Sequence, residues 1–140
     1  MTKYESRIGH IQSSEEKVYS FLSDFNNFRE FIPEDQVQDW KSDADSCSFT
    51  IGGMGGVGLE IVERNPCSLI KMTGNGMSQV DFFLWIQLKE AGENDTRVKL
   101  TMKADLNPMI QMMAAKPLKN FLNMMVDYME NFSFENKENL

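Results

Sequence analysis

The chain has 140 residues, 41% hydrophobic and 25% charged, with a formal charge of −7 at pH 7. At that length folding hides roughly two-thirds of the unfolded chain's surface, which suits one core and not two. The acidic balance, with no basic run anywhere, argues against a nucleic-acid partner, whose affinity comes mainly from Lys and Arg neutralising phosphates.

The first residues, MTKYESRIGHIQ, lack the charged start, apolar stretch and small-residue cleavage site of a secretory signal. No apolar run approaches the ~18 residues needed to cross a bilayer. Cys47 and Cys67 stand apart, outside any CxxC pairing, which suits a reducing compartment better than a disulfide framework. The expected location is the cytoplasm.

Residues 3–12 read as a strand of mixed alternation. The period then changes: Ser13 with Glu16 predicts a capping box, and Val18, Phe21, Leu22, Phe25 and Phe28 follow at helical spacing. Asp24 and Asn26-Asn27 divide this stretch into two short helices, and Pro33 ends the second. From 35 to 105 the segments QVQDWKS, CSFTIGG, GGVGLEIVER, SLIKMTG, QVDFFLWIQLKE and TRVKLTMKADL carry strand signals. The turn-rich pieces SDADS, RNPCS and EAGENDT between them predict hairpins. In the last strand Val98, Leu100, Met102 and Ala104 alternate with Arg97, Lys99, Thr101 and Lys103, so one face is buried and the other wet. VDFFLWIQL is apolar on both sides, which predicts cover on both.

Asn107 and Pro108 form a helix start, an N-cap side chain followed by the position where proline's missing N–H costs nothing. The helix is expected to run to about Phe132, roughly 39 Å if wholly helical, with a kink at Pro117. It holds six of the chain's eleven methionines. At about 100° per residue its wheel gathers Ile110, Met113, Ala114, Pro117, Leu118, Phe121, Leu122, Met124, Met125, Tyr128, Met129 and Phe132 on a sheet-facing side, leaving Met109 and Met112 outside. The order is α+β: an antiparallel sheet of about six or seven strands with helices on one face, in one domain over residues 1–134, and a polar tail over 135–140 expected to fray.

Four stretches, SSEEKVYSFLSDFNNFREFIPE, CSFTIGGMGGVGLEIVERNPCSLIKMTG, FFLWIQLKE and ADLNPMIQMMAAKPLKNFLNMMVD, resemble the bacterial members of the START-like or SRPBCC superfamily. This is the helix-grip fold shared with polyketide cyclases, coenzyme-Q-binding proteins and the birch-pollen allergen type. The resemblance covers roughly residues 2–132. It rests on the capped first helix, the D-x-x-N-F-x-x-F-I-P linker and the L-N-P start of the last helix. It implies a cavity between a curved sheet and the C-terminal helix. It carries over no catalytic residue, because the superfamily uses one cavity for ligand binding, cyclase or aromatase chemistry and regulation.

Other constellations have plainer readings. IGGMGGVG, residues 51–58, leads into a strand and not a helix, so it predicts a bulged hairpin, a candidate lip at a cavity mouth, and not a phosphate loop. His10 is the only histidine, and neither cysteine has a partner at metal spacing, so no metal, cofactor or nucleophilic triad is expected. Glu60 and Glu63 are expected on opposite strand faces. Tyr4, Tyr19 and Tyr128 are phenols placed to border apolar surface.

The expected function is binding of a small, largely hydrophobic molecule, lipid-, quinone- or polyketide-like, between sheet and helix. The expected wall is Phe82, Leu84, Ile86, Val98, Leu100, Met102, Met113, Phe121, Met124 and Tyr128, with polar orientation from Tyr128 or His10. The alternatives are a cyclase- or aromatase-type enzyme, a domain that docks a protein partner through Met109, Met112 and first-helix aromatics, and a solid methionine-filled core. The mixed charge of the helix's polar face argues against membrane contact.

Overall fold

The computed structural model describes residues 2–31, 35, 37–51, 55–74, 81–132 and 134. Eight strands form one curved antiparallel sheet: β1 (Thr2–Glu5), β2 (Gly9–Ile11), β3 (Val37–Ser42), β4 (Ser46–Ile51), β5 (Gly55–Asn65), β6 (Leu69–Gly74), β7 (Phe82–Gly92) and β8 (Asp95–Ala104). The helices are α1 (Glu15–Leu22), a 3₁₀ helix (Phe25–Phe31) and α2 (Pro108–Asn131). Strands β3 to β8 pair in chain order, and β1 and β2 both pair with β8. This is the expected α+β helix-grip architecture.

The expected first strand is two strands because of its register. Glu5 lies opposite Thr101 and Gly9 opposite Val98, so four steps on one side span three on β8. The surplus is accommodated at Ser6, whose backbone N–H donates to Leu100 O and whose Oγ accepts from Leu100 N, each at 2.9 Å. Arg7 and Ile8 are exposed.

The cap of α1 is Ser14, one residue later than expected. Its hydroxyl accepts from Lys17 N at 3.2 Å, while Ser13 is buried and its carbonyl accepts from Thr96 Oγ1 at 2.8 Å. Tying Ser13 to β8 removes it from the helix and passes the cap to its neighbour. Asn107 caps α2 as expected, accepting from Ile110 N at 2.9 Å, with Pro108 in the first turn. The helix is continuous through Pro117.

A bulge between Ile61 and Glu63 shifts the register of β5. Glu60 then faces Thr73 and Glu63 faces Lys71, so the two carboxylates share the outer face, correcting the expectation of opposite faces. Arg64, opposite Ile70, turns its guanidinium to Ser23 O at 3.0 Å and Asp45 at 2.6 Å. It thereby ties the end of α1 to the β3–β4 turn. Rings of Phe21, Phe132 and Phe134, with centroids 4.8 to 5.2 Å apart, join α1 to the end of α2. Pro33, the hairpin apex at 52–54 and the tail at 135–140 lie outside the described residues.

Candidate functional site

The inward face of the sheet is organised in rows that the register defines. Ile70, Ile86 and Leu100 form one, and Leu88, Val98 and Gly9 the next; every one of these residues is buried. On the other side of Leu100 runs a row of Ile61, Met72, Leu84, Met102 and Tyr4. Here Ile61, Leu84 and Met102 are only half-buried although they point inward.

Helix position explains the difference. A Cβ added to Gly9 would meet Val126 Cγ1 at 2.5 Å and Val98 Cγ1 at 3.0 Å, so α2 touches the sheet closely at this point. Met102 lies four strand residues from Val98, roughly 13 Å, and Leu118 lies eight helix residues before Val126, roughly 12 Å. Leu118 and Phe121, half-buried and packed against the core, therefore stand at the level of the half-buried row. The buried residues of α2 are Leu122, Met125, Val126 and Met129, all beyond Pro117. The first half of the helix is exposed or half-buried, and Ile61, Leu84 and Met102 share that partial exposure on the sheet.

Two ionic contacts hold the closed end. Arg7 pairs with Asp127 and Glu130, and Arg7 N donates to Asn123 Oδ1 at 2.7 Å. His10 N donates to Glu130 Oε2 at 2.7 Å. The Arg7 guanidinium keeps the Glu130 carboxyl below its ordinary range, against a smaller opposing effect of burial.

The expected wall residues thus divide. Leu84 and Met102 lie in the half-buried row and Phe121 packs half-buried against the core; Phe82, Ile86, Val98 and Leu100 belong to the buried core. Met124 is half-buried. Met113 is 72% exposed and Tyr128 39% exposed, correcting their placement on the covered side. Met113 joins Met109, Ile110 and Met112 in an exposed apolar surface on the first turns of α2. His10 is exposed on β2 opposite Arg97, at the closed end. Ile61 and Leu118 were missed; the bulge hides the inward side of Ile61 from simple alternation, and Leu118 was legible on the helix wheel.

The opposite face of the sheet carries a shallow depression of about 200 Å³ lined by Lys3, Glu5, Trp85, Gln87, Lys99, Thr101 and Lys103. Among the described residues, lysine side chains lie over Phe83 and Trp85. Lys71 Nζ lies 4.6 Å from the Phe83 ring centre, and Lys103 Nζ 5.7 Å from that of Trp85. Glu5 pairs with both Lys99 and Lys3, which hold its carboxyl below the usual range.

Among the described residues there is no group of three or more His, Cys, Asp and Glu able to hold a metal ion, and no helix long and apolar enough to cross a membrane. The Cys47 thiol is buried and pushed up to about 12 by desolvation, which makes it a packing residue and a poor nucleophile.

Residues 1–131 match the family model described as polyketide cyclase / dehydrase and lipid transport. No curated protein matches. Similar solved structures include the protein XoxI of Bacillus cereus, 13% identical over 98% of this chain and 99% of that one, with a TM-score of 0.76. A START superfamily protein of Mycobacterium smegmatis is 12% identical over 94% and 99%, with a TM-score of 0.67. A point mutant of Thalictrum flavumn norcoclaurine synthase, in complex with a transition state analogue, is 12% identical over 97% and 96%, with a TM-score of 0.74.

Proposed function

The chain belongs to the polyketide cyclase / dehydrase and lipid transport family, and from that premise we propose that it binds a small, largely hydrophobic molecule between the sheet and α2. The molecule is of lipid, quinone or polyketide type. The observation that carries the reading is unequal burial on one face: Ile61, Leu84 and Met102 point inward and stay half-exposed, while the neighbouring rows are sealed. Apolar side chains left open on a concave face gain about 25 cal/mol per Å² when a ligand covers them. Leu84, Met102, Phe82 and Phe121 are the contact residues, and Met102 adapts its shape to the guest.

Binding is favoured over proton-transfer chemistry because Arg64, whose register partner Ile70 faces inward, is already engaged by Ser23 O and Asp45. The exposure of Met109, Met112 and Met113 favours a second role for α2, docking of a protein partner on its first turns.

Native mass spectrometry of freshly expressed protein is expected to show a co-purifying apolar molecule. Leu84→Trp fills the open row and weakens binding of a naphthalene-type fluorophore about tenfold. A chain that is repeatedly empty and binds no such probe would remove the reading.

A further inference from the structure

The buried hydroxyl side chains on and around the sheet can be compared. Ser6 Oγ donates to Arg7 O at 2.7 Å, Thr96 Oγ1 to Ser13 O at 2.8 Å, and Thr101 Oγ1 to Gln87 Oε1 at 2.9 Å. Tyr4 is the exception. It is 7% exposed, it sits in the hydrophobic core cluster, and its hydroxyl is sealed from solvent with no hydrogen-bond partner among the described residues. A buried donor left unpaired is a cost that phenylalanine at the same position would avoid. Tyr4 also occupies a defined place: it pairs with Met102, at the β1 end of the half-buried row.

We propose that Tyr4 is the polar anchor of the cavity, donating its phenolic hydrogen to a neutral carbonyl oxygen on the bound molecule. This rests on the binding role proposed above and narrows its ligand class to apolar molecules that carry a ketone, quinone or ester carbonyl. A phenol can both donate and accept, but the surroundings select between partners. A carboxylate here would bring an uncompensated charge against Met102, Leu84 and Met72, which costs far more than one hydrogen bond returns. A carbonyl brings only an acceptor. Met102, an unbranched thioether beside the phenol, is the side chain that moves to admit it. The exposed Tyr128 and His10 cannot serve this place, since both lie on the surface.

The test uses two probes of nearly equal shape, 2-acetylnaphthalene and 2-ethylnaphthalene, measured by equilibrium dialysis against wild type and Tyr4→Phe. Wild type is expected to prefer the ketone, and Tyr4→Phe to weaken the ketone about 5-fold while leaving 2-ethylnaphthalene unchanged. Equal binding of both probes by both proteins overturns the role of Tyr4 and leaves the cavity standing. Failure of wild type to bind either probe overturns the cavity and Tyr4's role together. Thermal melting of the unliganded proteins gives an independent reading: Tyr4→Phe melts at or above the wild-type temperature if the hydroxyl is unpaired. A fall of several degrees means that it is bonded in the free protein, and overturns the proposal.

Discussion

The two halves of α2 are equally apolar in sequence and differently used. Past Pro117, Leu122, Met125, Val126 and Met129 are buried against β1, β2 and β8; before it, Met109, Ile110, Met112 and Met113 face outward. What separates them is the ground beneath. Gly9 lets the second half come down onto the sheet, and Arg7 fastens it there, while the first half crosses a row that it does not seal. Methionine content therefore does not reveal whether a helix closes a core or roofs an opening.

The sharpest way to break this contrast is to truncate one side chain in each half. Leu122→Ala is expected to lose about 2–5 kcal/mol in denaturant unfolding, and Met112→Ala less than about 0.5 kcal/mol. Similar losses would mean that both halves are packed alike. Gly9→Ala follows, at about 1–3 kcal/mol, because the added methyl would overlap Val126 at 2.5 Å. An unchanged melting curve would show that α2 does not rest there.

The smallest effect comes from the ionic fastening. Because the folded-state pKa of Glu130 is lowered, its contribution is present above the unfolded value and is lost as pH falls through the folded one. Wild type should therefore lose stability between about pH 5 and pH 3, and Glu130→Gln should flatten that slope by no more than about 1 kcal/mol. An identical acid slope in the variant would place the loss elsewhere.

Much of this architecture was legible because local chemistry and long-range structure agree. Asn107-Pro108 fixes the start of α2 by backbone hydrogen bonding alone, and the alternation from Val98 to Ala104 identifies the inward side of β8. The site was less legible wherever register intervenes. A single surplus residue near Ser6 splits the first strand, and the bulge at Ile61–Glu63 brings Glu60 and Glu63 to one face. Likewise Lys3, Lys71, Lys99 and Lys103 are scattered in an acidic chain yet come together on the outer face, because β6 and β8 flank β7, which bears Phe83 and Trp85, and β1 pairs with β8. Alternation identifies which side a residue is on, but neither how far along the sheet the helix departs nor whether a phenol such as Tyr4 finds a partner. Those depend on contacts between distant parts of the chain.

The missing side chain at Gly9 gives the interface the character of a tapered gauge. The narrow end is set by backbone meeting Val126, a stop far harder than any flexible side chain. On the binding role proposed above, a guest beside Met102 would be measured by its length from that stop more than by its girth, which methionine accommodates. On that reading one absent methyl group, opposite Val98 and away from Leu84 and Met102, sets the depth scale of the site.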